Sequence, residues 1–334
     1  MGRRVIWIFL GLLVLAAPPS RAAAPETATM AVPAFSLSFS LGYLAEDLGL
    51  FAAEGVAVKQ VEIQGLGAIN AVISGSTEFA EPSAASLTRA AARGQKLLGI
   101  AALTDHPFVQ LVMRKDVAAA AGFAADAPLG KRALTLKGRT IAADSVNSVV
   151  HAYVRLVAQA GGYDPEQVRM AFMAPTSMVA ALETKQIDGY AMTPPWPEVA
   201  LLQGSGVLIA SGPDGDPALT PFVNTVLLAK PETCDKRPTL CEKVGRAFAA
   251  AARAIHDKPD AALAALEKRF SKLDPAQMKA SFALLRKITP SPPVITAAAL
   301  ENVDNYNVRA GLLKPEEKLK SYDGLFTDRY VAPH

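Results

Sequence analysis

The first side chain set where it could act on another molecule is Glu81, which follows the short apolar run Thr77–Ala80 and precedes Pro82. A carboxylate at a strand end accepts hydrogen bonds from an amine, amide or hydroxyl, or pairs with an arginine; a solvated loop acid would have the same sequence. Ser40, Tyr43, Gly67, Ser83 and Asp105 fall on comparable loops in the first third of the chain, and Ser145, Asn147, Ser148, Thr193, Trp196 and Asn224 on loops further on. These twelve residues are the candidate ligand set. Their chemistry is that of recognition: hydroxyls and amides to bond a polar group, and Tyr43 and Trp196 to stack on a planar one or simply to pack. Ser145, Asn147 and Ser148 precede a helical run, where such residues cap the helix, or leave its free N–H groups for an anionic or carbonyl atom. His106 reads as a turn or packing residue and His151 as a half-buried helical one.

Catalysis needs a constellation that is not evident. The four histidines, His106, His151, His256 and His334, have no metal spacing, and there is no Gly-x-Ser-x-Gly, Gly-Lys-Ser/Thr or complete Gly-x-Gly-x-x-Gly motif. No catalytic residue, metal site or cofactor is therefore expected. No arginine lies on the candidate loops, so capture of a simple anion would depend on helix N-termini alone.

The elements that must carry these residues show an internal echo. Gln64–Ser86 reads as a glycine loop, a short helix stopped by Gly75, the strand Thr77–Ala80 and a second loop. Thr176–Pro195 repeats this as a loop, the helical run Met178–Leu182, a break at Lys185-Gln186 and the strand Asp188–Met192, with Asp188 at the place of Glu78. Two such units suggest two similar lobes offering loops to a shared cleft. Phe35–Ser40, which alternates apolar and hydroxyl residues, is expected to be the first strand, followed by a helix over Leu44–Glu54 interrupted at Gly49, and a strand over Val56–Ile63. Further strands are expected at Leu97–Leu103, Phe108–Met113, Thr140–Ala143, Arg169–Met173, Gly206–Ala210 and Phe222–Ala229. Helices are expected at Val149–Ala160 and Trp196–Leu202, with Ser211–Pro217 as a linker. Four alanine-rich helices, Val244–Ile255, Pro259–Phe270, Pro275–Ile288 and Thr296–Ala310, are expected to support the first lobe without touching ligand.

Arg3-Arg4 before the apolar run Val5–Ala17, with Ser20-Arg21-Ala22 beyond it, has the form of a signal peptide cut after Ala22. Its removal takes three bases and leaves 31 bases against 31 acids, so the sequence gives no reason to propose nucleic acid or an anionic membrane as partner. In an exported chain Cys234 and Cys241 are expected to form a disulfide closing a short loop.

Gly42-Tyr43, Gly49-Leu50-Phe51 with Glu54-Gly55-Val56, Ser74-Gly75 and Glu78-Phe79-Ala80 together resemble the periplasmic substrate-binding proteins of the nitrate/sulfonate/taurine group, which includes thiamine-pyrimidine binders. The likeness continues through Val112–Asp116, Leu136–Ala142, Ser148 with His151, Ala180–Leu182 and Asp188–Ala191. The cysteine-rich motif of the related pyrimidine synthases is missing. The resemblance implies a type II periplasmic binding protein fold of two α/β lobes joined by a two-strand hinge. Lobe 1 would comprise residues 27–108 and 218–334, and lobe 2 residues 109–217. It implies a periplasmic, monomeric protein that closes on a small molecule and delivers it to an ABC importer permease; an exported enzyme or ligand sensor could use the same cleft. N-terminal sequencing of the exported protein should begin at Ala23; a start at Pro25 would move the cut to Ala24, and retention of Met1 would contradict cleavage.

Overall fold

The computed structural model describes Gly2, residues 24–214 and residues 220–332. The rest of the proposed leader with its cut after Ala22, residues 215–217 of the expected linker, and His334 lie outside the described residues. Among those described, no helix is long and apolar enough to cross a membrane.

The chain opens with β1 (Glu26–Val32), upstream of the expected first strand. Phe35–Ser40 is not a strand. The Ser36 hydroxyl accepts the Ser38 N–H at 3.1 Å and caps the 3-10 turn Leu37–Phe39, while the Ser40 hydroxyl donates to the Leu37 carbonyl at 2.6 Å and begins the helix Ser40–Asp47. Serines bonding their own backbone produce an alternation that mimics a pleat. Gly49, at φ +69°, breaks this helix from the short turn Leu50–Ala53, as the sequence indicates.

Next come β2 (Val56–Glu62), β3 (Phe79–Ala80), β4 (Leu98–Thr104), β5 (Gln110–Arg114), β6 (Thr140–Ala143), β7 (Arg169–Phe172), β8 (Gly189–Met192), β9 (Gly206–Ser211) and β10 (Thr225–Ala229). They form two five-stranded sheets, ordered β2-β1-β3-β10-β4 and β7-β6-β8-β5-β9. In each, the first three strands are parallel and the fourth is antiparallel to both its neighbours. That fourth strand, β5 or β10, is the one by which the chain enters the sheet after crossing from the other. The crossings run from β4 to β5 and from β9 to β10, and they are the two-strand hinge of a two-lobed α/β fold.

The echo has a physical basis. Glu78 Oε2 accepts the backbone N–H of Thr29 at 2.8 Å and its hydroxyl at 2.7 Å, and Asp188 Oδ2 accepts the backbone N–H of Thr140 at 2.9 Å. Each acid, one residue before β3 or β8, ties that strand to its parallel neighbour, β1 or β6. Burial pushes the Glu78 carboxyl up, but the Thr29 bonds and nearby Arg237 outweigh it and hold the group below its ordinary value. Gly75 at φ +80° and Lys185 at φ +60° end the matching helices, Gly67–Ser74 and Pro175–Glu183.

The first sheet is buried on both faces. Met30 and Phe79 join the core formed with the helices Ser40–Asp47 and Pro238–Asp257; Ala31 and Ala80 join that formed with Gly67–Ser74, Ala84–Ala92 and Ala297–Arg309. The C-terminal helices do more than support one lobe. Pro275–Ile288 packs on the second-lobe helix Trp196–Leu202, and Ala297–Arg309 reaches the second-lobe helix Val149–Ala160. Cys234 and Cys241 form the expected disulfide, joining the helix Pro231–Lys236 to Pro238–Asp257.

Glu81 does not face the space between the lobes. Strand parity puts it on the side of Phe79 and Met30, fully buried against the helix Ser40–Asp47, so close to Gly42 that a Cβ there would collide with Glu81 Oε1. Neither carboxyl oxygen has a hydrogen-bond partner. Burial raises the group well above its ordinary value, only partly opposed by Arg269, which is itself bonded to Asp47 and Glu46 at 2.6–2.7 Å. The folded state therefore holds the proton more tightly than the unfolded chain. The resulting stability is complete below the unfolded value, near 4.5, and is lost as pH rises above it. Glu81→Gln should raise the melting temperature at pH 8, with the gain shrinking toward pH 4; an equal effect at both pH values would contradict this burial. Gly42→Ala should cost about 1–3 kcal/mol in denaturant unfolding. The double Cys234→Ser, Cys241→Ser variant should lose about 2 kcal/mol, because the loop closed is short.

Candidate functional site

The carboxyl ends of the parallel strands of both sheets converge on a cavity of about 50 Å³ between the lobes. The first lobe contributes Ala34, Ser38 and Phe39 beyond β1, Gly65 and Leu66 beyond β2, Ser83 and Ser86 beyond β3, and Asn224-Thr225 at the start of β10. The second contributes Asp144, Ser148 and Val149 beyond β6, and Met192-Thr193 at the end of β8.

Two polar atoms here are buried without a partner. Asn224 spends its amide N–H₂ on the hydroxyls of Thr225 (3.1 Å) and Thr104 (3.4 Å), which leaves Oδ1 unbonded. The Ser38 hydroxyl is also unbonded. Asp144 supplies a third polar group: burial raises its carboxyl above the ordinary value, against the pull of the Ser148 hydroxyl at 2.5 Å and nearby backbone N–H groups. An amide oxygen, a carboxyl and a hydroxyl around one small space suit a ligand group that donates hydrogen bonds: an amine, an amide or a hydroxyl. Unmade bonds at buried sites cost about 1–3 kcal/mol each, so a ligand that makes them gains correspondingly.

Of the residues read from the sequence, Ser83, Ser148, Thr193 and Asn224 line the cavity. Ser148 caps the helix Val149–Ala160 by accepting the His151 N–H at 3.1 Å and also lines the cavity. Ser145 stands at the edge, its buried hydroxyl unpartnered and 2.7 Å from where a Cβ on Gly65 would sit. Asn147, at φ +60°, offers its carbonyl to Arg89 and its N–H to His151 Nδ1. Gly67 is displaced from the lining by Gly65 and Leu66 and starts the helix behind them.

Four others lie elsewhere, besides Glu81 in the first-lobe core. Ser40 bonds its own turn. Tyr43 donates to the Ala34 carbonyl at 3.2 Å and packs with Phe35 and Phe270 beneath Arg269. Asp105 pairs with His106 at 2.6 Å in the β4–β5 crossing. Trp196 is a fastener: its indole N–H donates to the Phe35 carbonyl across the lobes at 2.9 Å. The sequence does not single out Asp144, which precedes the serines before the helix Val149–Ala160, or Arg89, which reaches the seam from within the helix Ala84–Ala92.

The seam has two banks. On one, Trp196 bonds Phe35, the Leu37 N–H donates to the Pro194 carbonyl at 3.0 Å, and the hydroxyls of Ser36 and Thr193 bond each other. On the other, Arg89 donates to the Asn147 carbonyl at 2.9 Å, Tyr306 to that of Val149 at 2.8 Å, and Arg155 and Gln159 to those of Ala310 and Arg309 at 2.7 Å. The cavity lies between them, in a closed arrangement of the lobes.

Solved structures share this architecture. The alkanesulfonate-binding protein SsuA of Xanthomonas axonopodis pv. citri, bound to MOPS, superposes with a TM-score of 0.69 at 19% identity, covering 89% of this chain and 97% of that one. The periplasmic nitrate-binding protein NrtA of Synechocystis PCC 6803 gives 0.69 at 15% identity, covering 92% and 87%. A Candida albicans protein described as having the generic periplasmic binding protein fold gives 0.66 at 13% identity, covering 93% and 98%. A comparison with curated proteins finds no match. Residues 37–262 match the family described as NMT1/THI5 like, and the chain belongs to that family.

Proposed function

We propose that this chain is an exported solute-binding protein that captures a small organic molecule through a hydrogen-bond-donating group and delivers it to an ABC importer. The observation that carries the reading is the pair of unpartnered buried atoms, Asn224 Oδ1 and Ser38 Oγ, beside Asp144 in the cavity between the lobes. The two banks of interlobe bonds support capture by closure: residues 27–108 with 218–334 act as one jaw, residues 109–217 as the other, and the β4–β5 and β9–β10 crossings as the hinge. The similarity to SsuA and NrtA supports transport as the context, while the acid and amide in the cavity favour a donor group over the sulfonate and nitrate of those names. The protein acts as a monomer in the periplasm, binds its ligand without altering it, and presents the closed form to the permease.

A thermal-shift screen of the mature protein against amines, amides, sugars and oxyanions should find its best hit among the donors, since a ligand bound only by the native state raises the melting temperature. Asn224→Leu should weaken that hit about tenfold or more, the consequence of one lost buried bond. Recovery of the ligand unchanged after prolonged incubation is expected; a chemically altered product would make the protein an enzyme. A best hit among simple anions, or no effect of Asn224→Leu, would overturn the assignment of the cavity.

A further inference from the structure

The cavity shares two walls, Leu66 and Ser86, with a larger pocket of about 390 Å³ that opens beside it on the seam. That pocket contains Arg89 and Arg93, four positions apart and so on one helix face, with the amide side chains of Asn70 and Gln95; no Asp or Glu lines it. Arg89 is only 5% exposed. Its Nη2 donates to the Asn147 carbonyl and weakly, at 3.4 Å, to the Ser86 hydroxyl, which in turn lies 2.9 Å from that of Ser83 in the cavity wall. A polar chain therefore runs from the cavity into the pocket.

Among the described residues, neither arginine has a carboxylate within ion-pair distance. A nearly buried guanidinium without a counter-charge is unfavourable, and a second cation four residues away adds to the cost. Burial first, and Arg93 second, push Arg89 down to about 10. The link to Asn147 does not require this charge, because a neutral amide could make the same bond. Among the described residues the positive charge has no acidic partner. The cavity, meanwhile, is small, with room for a head group and little more.

We propose that the Arg89–Arg93 pocket binds an oxyanion at the far end of the same ligand whose donor group enters the cavity, so that the ligand is a bifunctional molecule with an amine, amide or hydroxyl at one end and a carboxylate, sulfonate or phosphate at the other. The proposal rests on the reading of the cavity given above. It assigns the anion to the annexe rather than to the cavity, and it makes the distance between the two groups a determinant of specificity. Guanidinium forks suit planar and tetrahedral oxyanions alike.

The test is calorimetric titration of the mature protein with three probe sets of matched length, from four to eight carbons: n-alkylamines, n-alkanoates and ω-aminoalkanoates. ω-Aminoalkyl sulfonates and phosphates of the best length then identify the preferred oxyanion. At one length the bifunctional probe should bind at least tenfold more tightly than both monofunctional probes, and Arg93→Gln and Arg89→Gln should each erase most of that advantage. The ratio is what is read, so a variant of lower stability still answers, provided it remains folded by circular dichroism. If amines bind but no bifunctional probe improves on them, or the advantage survives in both variants, the annexe is overturned while the cavity reading stands. If alkanoates bind as tightly as the bifunctional probes, or no probe binds, the cavity reading falls and the proposal with it.

Discussion

The rest of the site depends on the polar seam between the lobes, above all the indole of Trp196 on the Phe35 carbonyl and the guanidinium of Arg89 on that of Asn147. Each such bond contributes about 1 kcal/mol net, because water would satisfy the same groups in an open form. Together they amount to several kcal/mol, the same order as the roughly 5.5 kcal/mol that turns a 1:99 mixture of two states into 99:1. Closure is thus balanced rather than locked. A ligand that supplies partners for Asn224 Oδ1 and Ser38 Oγ acts at the scale that decides it.

The two sheets keep the crossings anchored on either side of this seam. Each sheet receives, as its antiparallel fourth strand, the segment by which the chain has just crossed over, so the crossings are anchored at both ends by ladder bonds. The ties of Glu78 to Thr29 and of Asp188 to Thr140 lie within their own sheets and stay intact whatever the lobes do. Beside the packing of the helix Pro275–Ile288 on Trp196–Leu202, the polar groups that meet across the cleft come from loops and from helix side chains such as Arg155 and Gln159. Those are the groups that can exchange protein partners for water at little net cost.

Much of this was legible in the residues. The Val149–Ala160 and Pro275–Ile288 helices and the strand Thr140–Ala143 fall where periodicity and caps put them, and the match of Glu78 with Asp188 proved to be a shared structural role. What was lost was direction. Phe79 and Glu81 lie two apart on a strand and its extension, hence on one face, and a buried Phe79 already implied a buried Glu81. Phe35–Ser40 misled because a hydroxyl bonding its own turn and a hydroxyl facing out of a pleat give the same alternation. Arg89 was hidden because its guanidinium reaches the seam only through tertiary packing, which no loop-by-loop reading includes.

Closure itself is open to direct measurement. Small-angle scattering of the mature protein, first freed of bound solute by denaturation and refolding and then saturated with the best-binding donor ligand, reports the separation of the lobes. Capture by closure predicts a smaller radius of gyration with ligand, reaching the value calculated for the closed arrangement of the lobes. An unchanged radius under saturating, calorimetrically verified binding would contradict capture by closure.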